Sequence, residues 1–324
     1  MTDSPVTGAL SYAELRVESI YGTDAAGTDM AFGHDLTTEP ARRNNLIRSL
    51  GLGSRNTVTL VPGTFEGTLT ANFILANTRW MGAAFGASSS AAAGSAYDHT
   101  YAEANAMPSF TVEEGTNLTT TDHVSKFLGC KINTMTLKCA VGEPVRVTLD
   151  MPYKTETEGS TLDGTPSTEA EDPLHFAHGS LQLPSGSTLA QVHGVDFTLN
   201  NNLIRSYGLG SRLQQALIEG ERQYTVNIRK AFMVASDILE KFYGAVTGPS
   251  ATDVAETATL VLTFTNGLTA ADERTLVITG TGVKFDEESL PKDPKEEIIE
   301  NATCWIRTCG AVGTDATQTT IFDA

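Results

Sequence analysis

The sequence lacks the features by which secreted and membrane proteins are recognised. No basic N-terminal segment leads into an apolar run, which is the pattern of a secretion signal. No apolar stretch approaches the length that a helix needs to cross a bilayer. These absences predict a protein without a membrane anchor that is made in the cytoplasm.

Motifs of catalysis and metal binding are also absent. The four cysteines form two pairs, Cys130 with Cys139 and Cys304 with Cys309, and neither spacing is that of a zinc knuckle. We therefore expect buried or half-buried thiols. No Gly-x-Ser-x-Gly elbow and no His-Glu-x-x-His motif occur. The sequence predicts that the protein is not an enzyme and that it binds neither a metal nor a cofactor.

Basic residues are few. Lys and Arg number 22 against 39 Asp and Glu, so the formal net charge is −17. Binding of nucleic acid through a basic face is disfavoured, because phosphate contacts need clustered Lys and Arg. One interpretation of the charge is a solvated acidic surface. The other is a surface that repels polyanions, such as an acidic channel through which DNA slides.

What the sequence does contain is an internal repeat. Residues 44–55 read NNLIRSLGLGSR and residues 201–212 read NNLIRSYGLGSR, so eleven of twelve positions are identical at an offset of 157. Because this offset is close to half of the 324 residues, we predict a tandem duplication of one domain. The first copy is predicted at residues 1–160 and the second at residues 161–324.

Two segments have the composition of loops. Residues 155–172, near the midpoint, are polar, acidic and interrupted by Gly and Pro, which is typical of a linker or a long exposed loop. Residues 86–95 read GASSSAAAGS and are predicted to be a small flexible loop.

Alternating apolar residues predict β-strands in both halves of the chain. The clearest cases are residues 68–73, 135–139, 145–151, 224–228, 260–264 and 276–285. The dipeptide Asn266-Gly267 separates the last two segments and is a strong hairpin signal.

One helix is expected in each half. In the second half, Ser236 suits the N-cap of a helix at residues 238–243, and Gly244 suits its C-cap. In the first half, residues 75–85 occupy the corresponding position and Gly86 follows them. The predicted fold class is therefore mainly β, a sandwich-like or barrel-like domain with one flanking helix, duplicated in tandem.

The repeated motif carries the candidate functional residues. Its Gly-Leu-Gly lacks the remaining residues of a dinucleotide-binding or phosphate-binding loop, so we interpret it as a turn in which glycine supplies positive φ. Two arginines in each copy stand out in an acidic chain. They are either surface charges or contacts that pair with carboxylates across a subunit boundary. These candidate assembly residues are Arg48, Arg55, Arg205 and Arg212.

Together these features resemble the tail tube proteins of tailed phages and tailed archaeal viruses. The resemblance rests on Asn-Leu-Ile-Arg-Ser and Gly-Leu-Gly-Ser-Arg in each half and on the sequence GCKINTMTL at residues 129–137. It implies a tube domain with two packed sheets and one flanking helix. Such domains form hexameric rings, so a chain with two of them would form a pseudo-hexameric ring from three copies.

The resemblance also implies partners and a location. Rings would stack head to tail into a tube, and closing the strands around a ring would remove their exposed edges. Other partners would be tail proteins such as the tape measure, the terminator or the sheath. DNA would pass through the lumen without specific binding, in a virion tail that is assembled in the host cytoplasm.

Two other classes of function are open on the sequence. A chain with two sandwich domains also suits a surface-binding or decoration module of a virion. A hydrolase would need a site built from scattered residues, for which His175 and His178 are the candidates.

Overall fold

The computed structural model describes residues 8–24, 27–53, 55–118, 121–233, 238–245, 247–254, 257–269, 272–318 and 320–323. These residues form a mainly β protein, which confirms the predicted class. No helix among them is long and apolar enough to cross a membrane.

The elements before residue 160 are short strands and one short helix, α1 (Met81–Phe85). The strands are β1 (Ser11–Val17), β2 (Met30–Ala31), β3 (His34–Arg43), β4 (Ile47–Leu50), β5 (Thr57–Val61), β6 (Glu66–Ile74), β7 (Gly86–Ala93), β8 (Ala96–Glu103), β9 (Phe110–Thr116), β10 (His123–Cys130), β11 (Thr134–Ala140), β12 (Arg146–Tyr153) and β13 (Thr155–Gly159).

The elements after residue 160 include the two longest strands and the helix α2 (Leu239–Tyr243). The strands are β14 (Ser180–Gln182), β15 (Val192–Asn200), β16 (Ile204–Ser206), β17 (Ala216–Ile218), β18 (Gln223–Ala231), β19 (Thr257–Thr265), β20 (Thr275–Ser289) and β21 (Ile299–Asp315).

One antiparallel sheet of eight strands joins the two halves of the chain. Its order is β3, β6, β12, β11, β15, β18, β21 and β20, and the last two strands take part with residues 299–306 and 283–289. Four strands come from each half, and the joint between the halves is the pair β11–β15. One face of this sheet carries buried apolar side chains such as Leu69, Leu149 and Phe197.

A second layer of strands packs on this buried face through a shared apolar core. In the first half the layer has the order β13, β10, β9, β1 and β2. In the second half β20 and β21 are long enough to continue from the eight-strand sheet into the second layer, where they join β14 and β19. Strand β8 of the first half pairs with the end of β21. The two halves therefore meet in both layers.

The same order of elements occurs in each half. Strand β3, the hairpin β4–β5, strand β6 and α1 are followed later by β15, the hairpin β16–β17, β18 and α2. Asn45 and Asn202, which are 157 residues apart, both have positive φ, at 42° and 46°. A Cβ on Gly63 or Gly220 would lie 2.3 Å from the carbonyl oxygen of Asn45 or Asn202. Both copies therefore require glycine at this position.

Both helices end at the predicted glycines, Gly86 and Gly244, which have positive φ. The first helix is much shorter than the predicted residues 75–85. The backbone N–H of Leu75 donates to the carbonyl oxygen of Val145, so this segment continues the sheet instead. Ser236, the predicted N-cap of the second helix, lies outside the described residues.

The small residues at 86–95 form a strand rather than a flexible loop. Most of them belong to β7, which pairs with β8 along its whole length. Ser88 and Ser90 donate to the two carboxylate oxygens of Asp323, at 2.8 and 2.5 Å. These bonds hold β7 against the C-terminal segment.

The predicted hairpin at Asn266-Gly267 is confirmed, but its turn is longer than two residues. Strands β19 and β20 pair up to Thr265 and Thr275, so the connection spans residues 266–274. Asn266 organises this loop, because its Oδ1 accepts from the backbone N–H groups of Leu268 and Arg274 at 3.2 and 3.0 Å.

The four cysteines are buried, as predicted, and all four are free. Burial raises the pKa of the Cys139 thiol to about 11 and that of the Cys304 thiol to about 12. The thiolate, which is the reactive form, is therefore suppressed at both positions near neutral pH.

The acidic segment at the midpoint is bound to strand β1 of the second layer. Backbone N–H groups donate from Ser167 to the Glu14 carboxylate and from Asp163 to the Tyr12 hydroxyl, each at 2.8 Å. Glu14 is fully buried and lies beside the carboxylates of Asp29 and Asp163. Burial, together with the neighbouring negative charges and against the opposing bond from Ser167, raises the pKa of Glu14 to about 7.

Glu14 is expected to make the stability of the fold depend on pH. The pKa of an unfolded glutamate is about 4.3, so between that value and about 7 the folded state binds the proton more tightly. The free energy of unfolding therefore falls as pH rises through this window. We expect Glu14→Gln, which stays neutral, to raise the melting temperature by several degrees at about pH 8 and to change it little near pH 4.

Thermal melts of the wild type and of Glu14→Gln at the two pH values test this expectation. Glu143→Gln is the matched control, because Glu143 is exposed. Equal melting temperatures of wild type and Glu14→Gln at the higher pH would contradict it.

Candidate assembly interface

The repeated motif forms one strand and the turn of a hairpin in each half. Hairpin A comprises residues 47–61 with strands β4 and β5, and hairpin B comprises residues 204–218 with strands β16 and β17. The second glycine of Gly-Leu-Gly has positive φ in both, 83° at Gly53 and 92° at Gly210. The motif is therefore a turn, as predicted.

Hairpin B lies on the first half of the chain. Arg205 donates to the carbonyl oxygen of Gly67 at 2.7 Å. Arg212 donates to the carbonyl oxygen of Gly63 at 2.8 Å and to the side-chain oxygen of Asn44 at 2.6 Å. Two of the four candidate arginines thus join the halves, and their partners within the chain are carbonyl and amide oxygens rather than carboxylates.

An ion pair and apolar burial hold hairpin B further. The Nζ atom of Lys131 in the first half lies 2.6 Å from a carboxylate oxygen of Glu219. Burial would raise the pKa of Glu219, but the hydrogen bonds from Lys131 and from the backbone N–H of Met107 hold it below its usual range. Leu217 keeps only 3% of its surface exposed. Hairpin B is therefore anchored to the first half of the chain, with Leu217 on its buried side.

Hairpin A has no such cover among the described residues. Leu60, which corresponds to Leu217 at the offset of 157, keeps 59% of its surface exposed. Every residue of β4 and β5 is exposed. The side chains of Arg48 and Arg55 are exposed too, and neither makes a hydrogen bond or an ion pair with another residue that the structure describes. The side of hairpin A that corresponds to the buried side of hairpin B is therefore exposed to solvent.

Exposed apolar side chains concentrate in the two hairpins. Leu52 and Leu209, in the Gly-Leu-Gly turns, are fully exposed. The other exposed apolar residues of the hairpins are Ile47, Leu50, Val58, Leu60, Val61, Ile204 and Ile218. A cluster of this kind on a folded surface indicates a site of contact with another protein.

Both outer edges of the eight-strand sheet are open within the part of the chain that the structure describes. Strand β3 pairs only with β6, and residues 284–289 of β20 pair only with β21. An open edge presents backbone N–H and C=O groups that can pair with another chain. The sheet can therefore be extended on both sides.

The exposed face of the sheet is rich in threonine and mixed in charge. One row across it consists of Thr37, Asn72, Thr148, Thr136, Thr198 and Thr225. Asp150 and Asp196 on this face are accompanied by Lys138, Arg146 and Arg229. The face therefore differs from the acidic channel wall that the composition suggests.

A serine, a histidine and an aspartate lie in one hydrogen-bonded chain that the sequence did not predict. Ser90 Oγ is 2.7 Å from His99 Nδ1, and His99 Nε2 is 3.0 Å from Asp315. Ser90 donates its one proton to Asp323, so it accepts from His99, whereas a nucleophilic serine donates to its histidine. Because His99 is also fully buried, the arrangement serves to fasten the C-terminal segment.

The histidines considered for a hydrolase lie elsewhere, near the short turn Phe176–His178. The rings of His175 and His178 are 4.8 Å apart, and His175 accepts from the backbone N–H of Ala177. Among the described residues no carboxylate or nucleophile bonds to either ring. The geometry gives them no catalytic arrangement.

A family model described as phage tail tube protein matches residues 7–302. The chain belongs to this family. No curated protein matches the chain. The family is a structural one and not a class of enzyme, and it implies a tail tube component of the virion that self-assembles together with other tail proteins.

The sequence identified the hairpins of this tail tube protein but not the sheet edges. Strand β3 ends at Arg42 and Arg43, which lie directly before the repeated motif. In the structure the offset of 157 continues back through this strand, because β3 pairs with β6 in the register in which β15 pairs with β18. An alignment of the two halves that continued upstream at the same offset, without a gap, would have identified β3 as the counterpart of β15.

The two environments of the motif predict different effects of equivalent substitutions. Arg205→Ala removes charge-assisted hydrogen bonds between the halves and is expected to lower the free energy of unfolding by about 1–3 kcal/mol. Arg48→Ala, the matched control, is expected to change it by less than about 0.5 kcal/mol. Urea denaturation at low protein concentration measures both. Equal losses would show that the two hairpins are not differently engaged.

Proposed function

We propose that three copies of this tail tube protein close into a pseudo-hexameric ring, and that stacked rings form the conduit for DNA ejection. In this proposal the chain is a tandem duplication, and its two domains take near-equivalent places around the ring. The observation that carries the proposal is the contrast between Leu217, which the first half buries, and Leu60, which is exposed.

A second half from a neighbouring copy would cover hairpin A as the first half covers hairpin B. Leu60 would then be buried like Leu217. Arg48 and Arg55 would reach backbone carbonyl groups in the neighbour, as their equivalents do within the chain. All four candidate arginines would thus bind to the adjacent half, two of them within the chain and two between copies.

The threonine-rich face of the sheet would line the lumen. The opposite face is covered by the second layer, so the polar face is the one left to the interior of a closed sheet. Interspersed charges of both signs offer no cluster of Lys and Arg to phosphate groups. DNA would pass this wall without specific binding.

Assembly would take place in the host cytoplasm, and the two ends of the finished tube would meet other tail proteins such as the tape measure, the terminator or the sheath. The exposed hairpin turns are the surfaces best suited to such contacts, because they carry fully exposed leucines.

Ring formation can be measured directly. Light scattering of the purified chain is expected to show a species of about three times 34.4 kDa, and negative-stain images are expected to show annular particles. A chain that stays monomeric at every concentration would contradict the proposal and favour the alternative, a surface-binding or decoration module. A closed species of another copy number would refute the three-copy ring alone.

Stacking can be separated from ring closure through the hairpin turns. Leu52→Asp with Leu209→Asp places charge on apolar groups that a neighbouring ring would bury, and burying an unpaired charge is costly. We expect rings to persist and tubes to be lost in electron micrographs. Ile20→Asp, at an exposed apolar residue outside the hairpins, is the control and should still give tubes. Normal tubes from the double variant would exclude these turns from stacking.

A further inference from the structure

The joint within the chain shows how one half meets the next. Strand β11 runs antiparallel to β15, with Thr134 opposite Asn200 and Met135 opposite Leu199. Met135 and Leu199 are fully buried. The side-chain amide of Asn201 donates to the carbonyl oxygen of Ile132 across the joint, at 3.0 Å. This part of the joint is therefore uncharged and, on its core side, apolar, whereas Lys138 lies opposite Asp196 farther along the same pair of strands.

The register of the sheet identifies the residues of β20 that correspond to β11. Thr134 lies in one row of paired residues with Thr70 of β6, two strands away across β12. In the same way, Glu287 lies in one row with Asn227 of β18, two strands away across β21. Thr70 and Asn227 differ by the 157-residue offset. Glu287 therefore occupies the place of Thr134, and Glu288 occupies the place of the residue after it.

The same comparison identifies the residues of β3 that correspond to β15. Arg43 pairs with a residue of β6, and Asn200 pairs with the residue of β18 that lies 157 positions later in the sequence. Arg42 and Leu199 correspond to each other in the same way. Two arginines on one open edge thus take the places of Asn200 and Leu199, as two glutamates on the other open edge take the places of Thr134 and Met135.

We propose that β3 of one copy pairs antiparallel with residues 287–289 of β20 in the next copy, with Arg43 opposite Glu287 and Arg42 opposite Glu288. This proposal rests on the proposed ring and names its contact surfaces. In this pairing, ionic contacts take the places of the uncharged pairs Thr134–Asn200 and Met135–Leu199 of the joint within the chain.

The side chains on the two edges suit this pairing. Arg43 and Glu287 are exposed. The Oε1 atom of Glu288 is buried and has no hydrogen-bond partner among the described residues. Arg42 donates through Nε to Glu156, and a guanidinium has further N–H donors for a second carboxylate. Opposite charges across antiparallel strands stabilise one pairing, and like charges oppose the others.

Side chains would contribute more to the stability of the joint between copies than to that of the joint within the chain, because only the latter is supported by a second pair of strands. Within the chain, β8 pairs with β21 and so joins the halves in the second layer. No strand is described between α2 and β19, where an equivalent of β8 would lie. The edge pairing would thus carry the contact between copies without that support.

Charge reversal tests the pairing. Arg43→Glu or Glu287→Arg alone is expected to raise the protein concentration needed for ring formation by about tenfold or more, because like charges then face each other. The double variant Arg43→Glu with Glu287→Arg is expected to assemble as the wild type does. Arg146→Glu, at an exposed arginine of the inner strand β12 and at the other end of the sheet from Arg43, is the control and should assemble normally.

Disulfide trapping tests the register. Ala41 and Ser289 take the places of Thr198 and Thr136, whose hydroxyl oxygens are 3.4 Å apart. Ala41→Cys with Ser289→Cys is expected to link copies covalently on oxidation, while Glu39→Cys with Ser289→Cys, two residues out of register, is not. The native cysteines are buried and do not compete.

The outcomes separate this proposal from the ring itself. Rings that form without the 41–289 link, that form the 39–289 link instead, or that are unaffected by either charge reversal overturn the pairing and leave the ring intact. A single reversal that the double variant does not rescue also overturns it. A wild-type chain that forms no ring overturns the proposed function.

Discussion

The backbone hydrogen bonds between β11 and β15 are the interaction on which the rest of the structure depends. They turn two sets of four strands into one sheet of eight and fix the relative position of the halves. An open sheet keeps two unpaired edges however many strands it contains. Within the described residues β3 and β20 keep open edges, and in the proposed ring these edges would pair between copies.

The one position that differs between the two copies of the motif lies where hairpin B contacts the first half of the chain. Tyr207 of hairpin B donates from its hydroxyl to the carbonyl oxygen of Phe65, at 3.0 Å, and hairpin A has Leu50 at the same place. The tyrosine therefore adds a hydrogen bond to the contact inside the chain. The leucine is exposed, and in the proposed ring it would add only apolar surface to the contact between copies.

The periodicity of the sequence predicted the strands well because each of them has one buried face. Residues 224–228 and 68–73 alternate and lie within β18 and β6. The helix at residues 75–85 was overestimated, since its first part is held by hydrogen bonds to a strand that is distant in sequence. Strand β7 was missed for a similar reason, because its alanines and serines have little strand preference and are ordered by β8 and Asp323.

The candidate arginines were found from the repeat, but their environments were not predictable. Two identical motifs have identical local signals, and only the covering half distinguishes Arg205 from Arg48. The edge residues could be recognised only from strand register, which fixes the partner of each residue across the sheet. Glu287 and Glu288 follow an irregularity in the pairing of β20 with β21, so counting along the sequence alone does not locate them.

The threonine rows on the exposed face of the sheet have a thermodynamic consequence for a passing polyanion. DNA that binds a cationic surface gains free energy because condensed counterions are released into solution. On this face lysines and arginines lie among aspartates and hydroxyl groups. In the proposed tube, few phosphates would exchange their cations for the protein, so the duplex would keep its ion atmosphere and would have no favoured binding position along the wall.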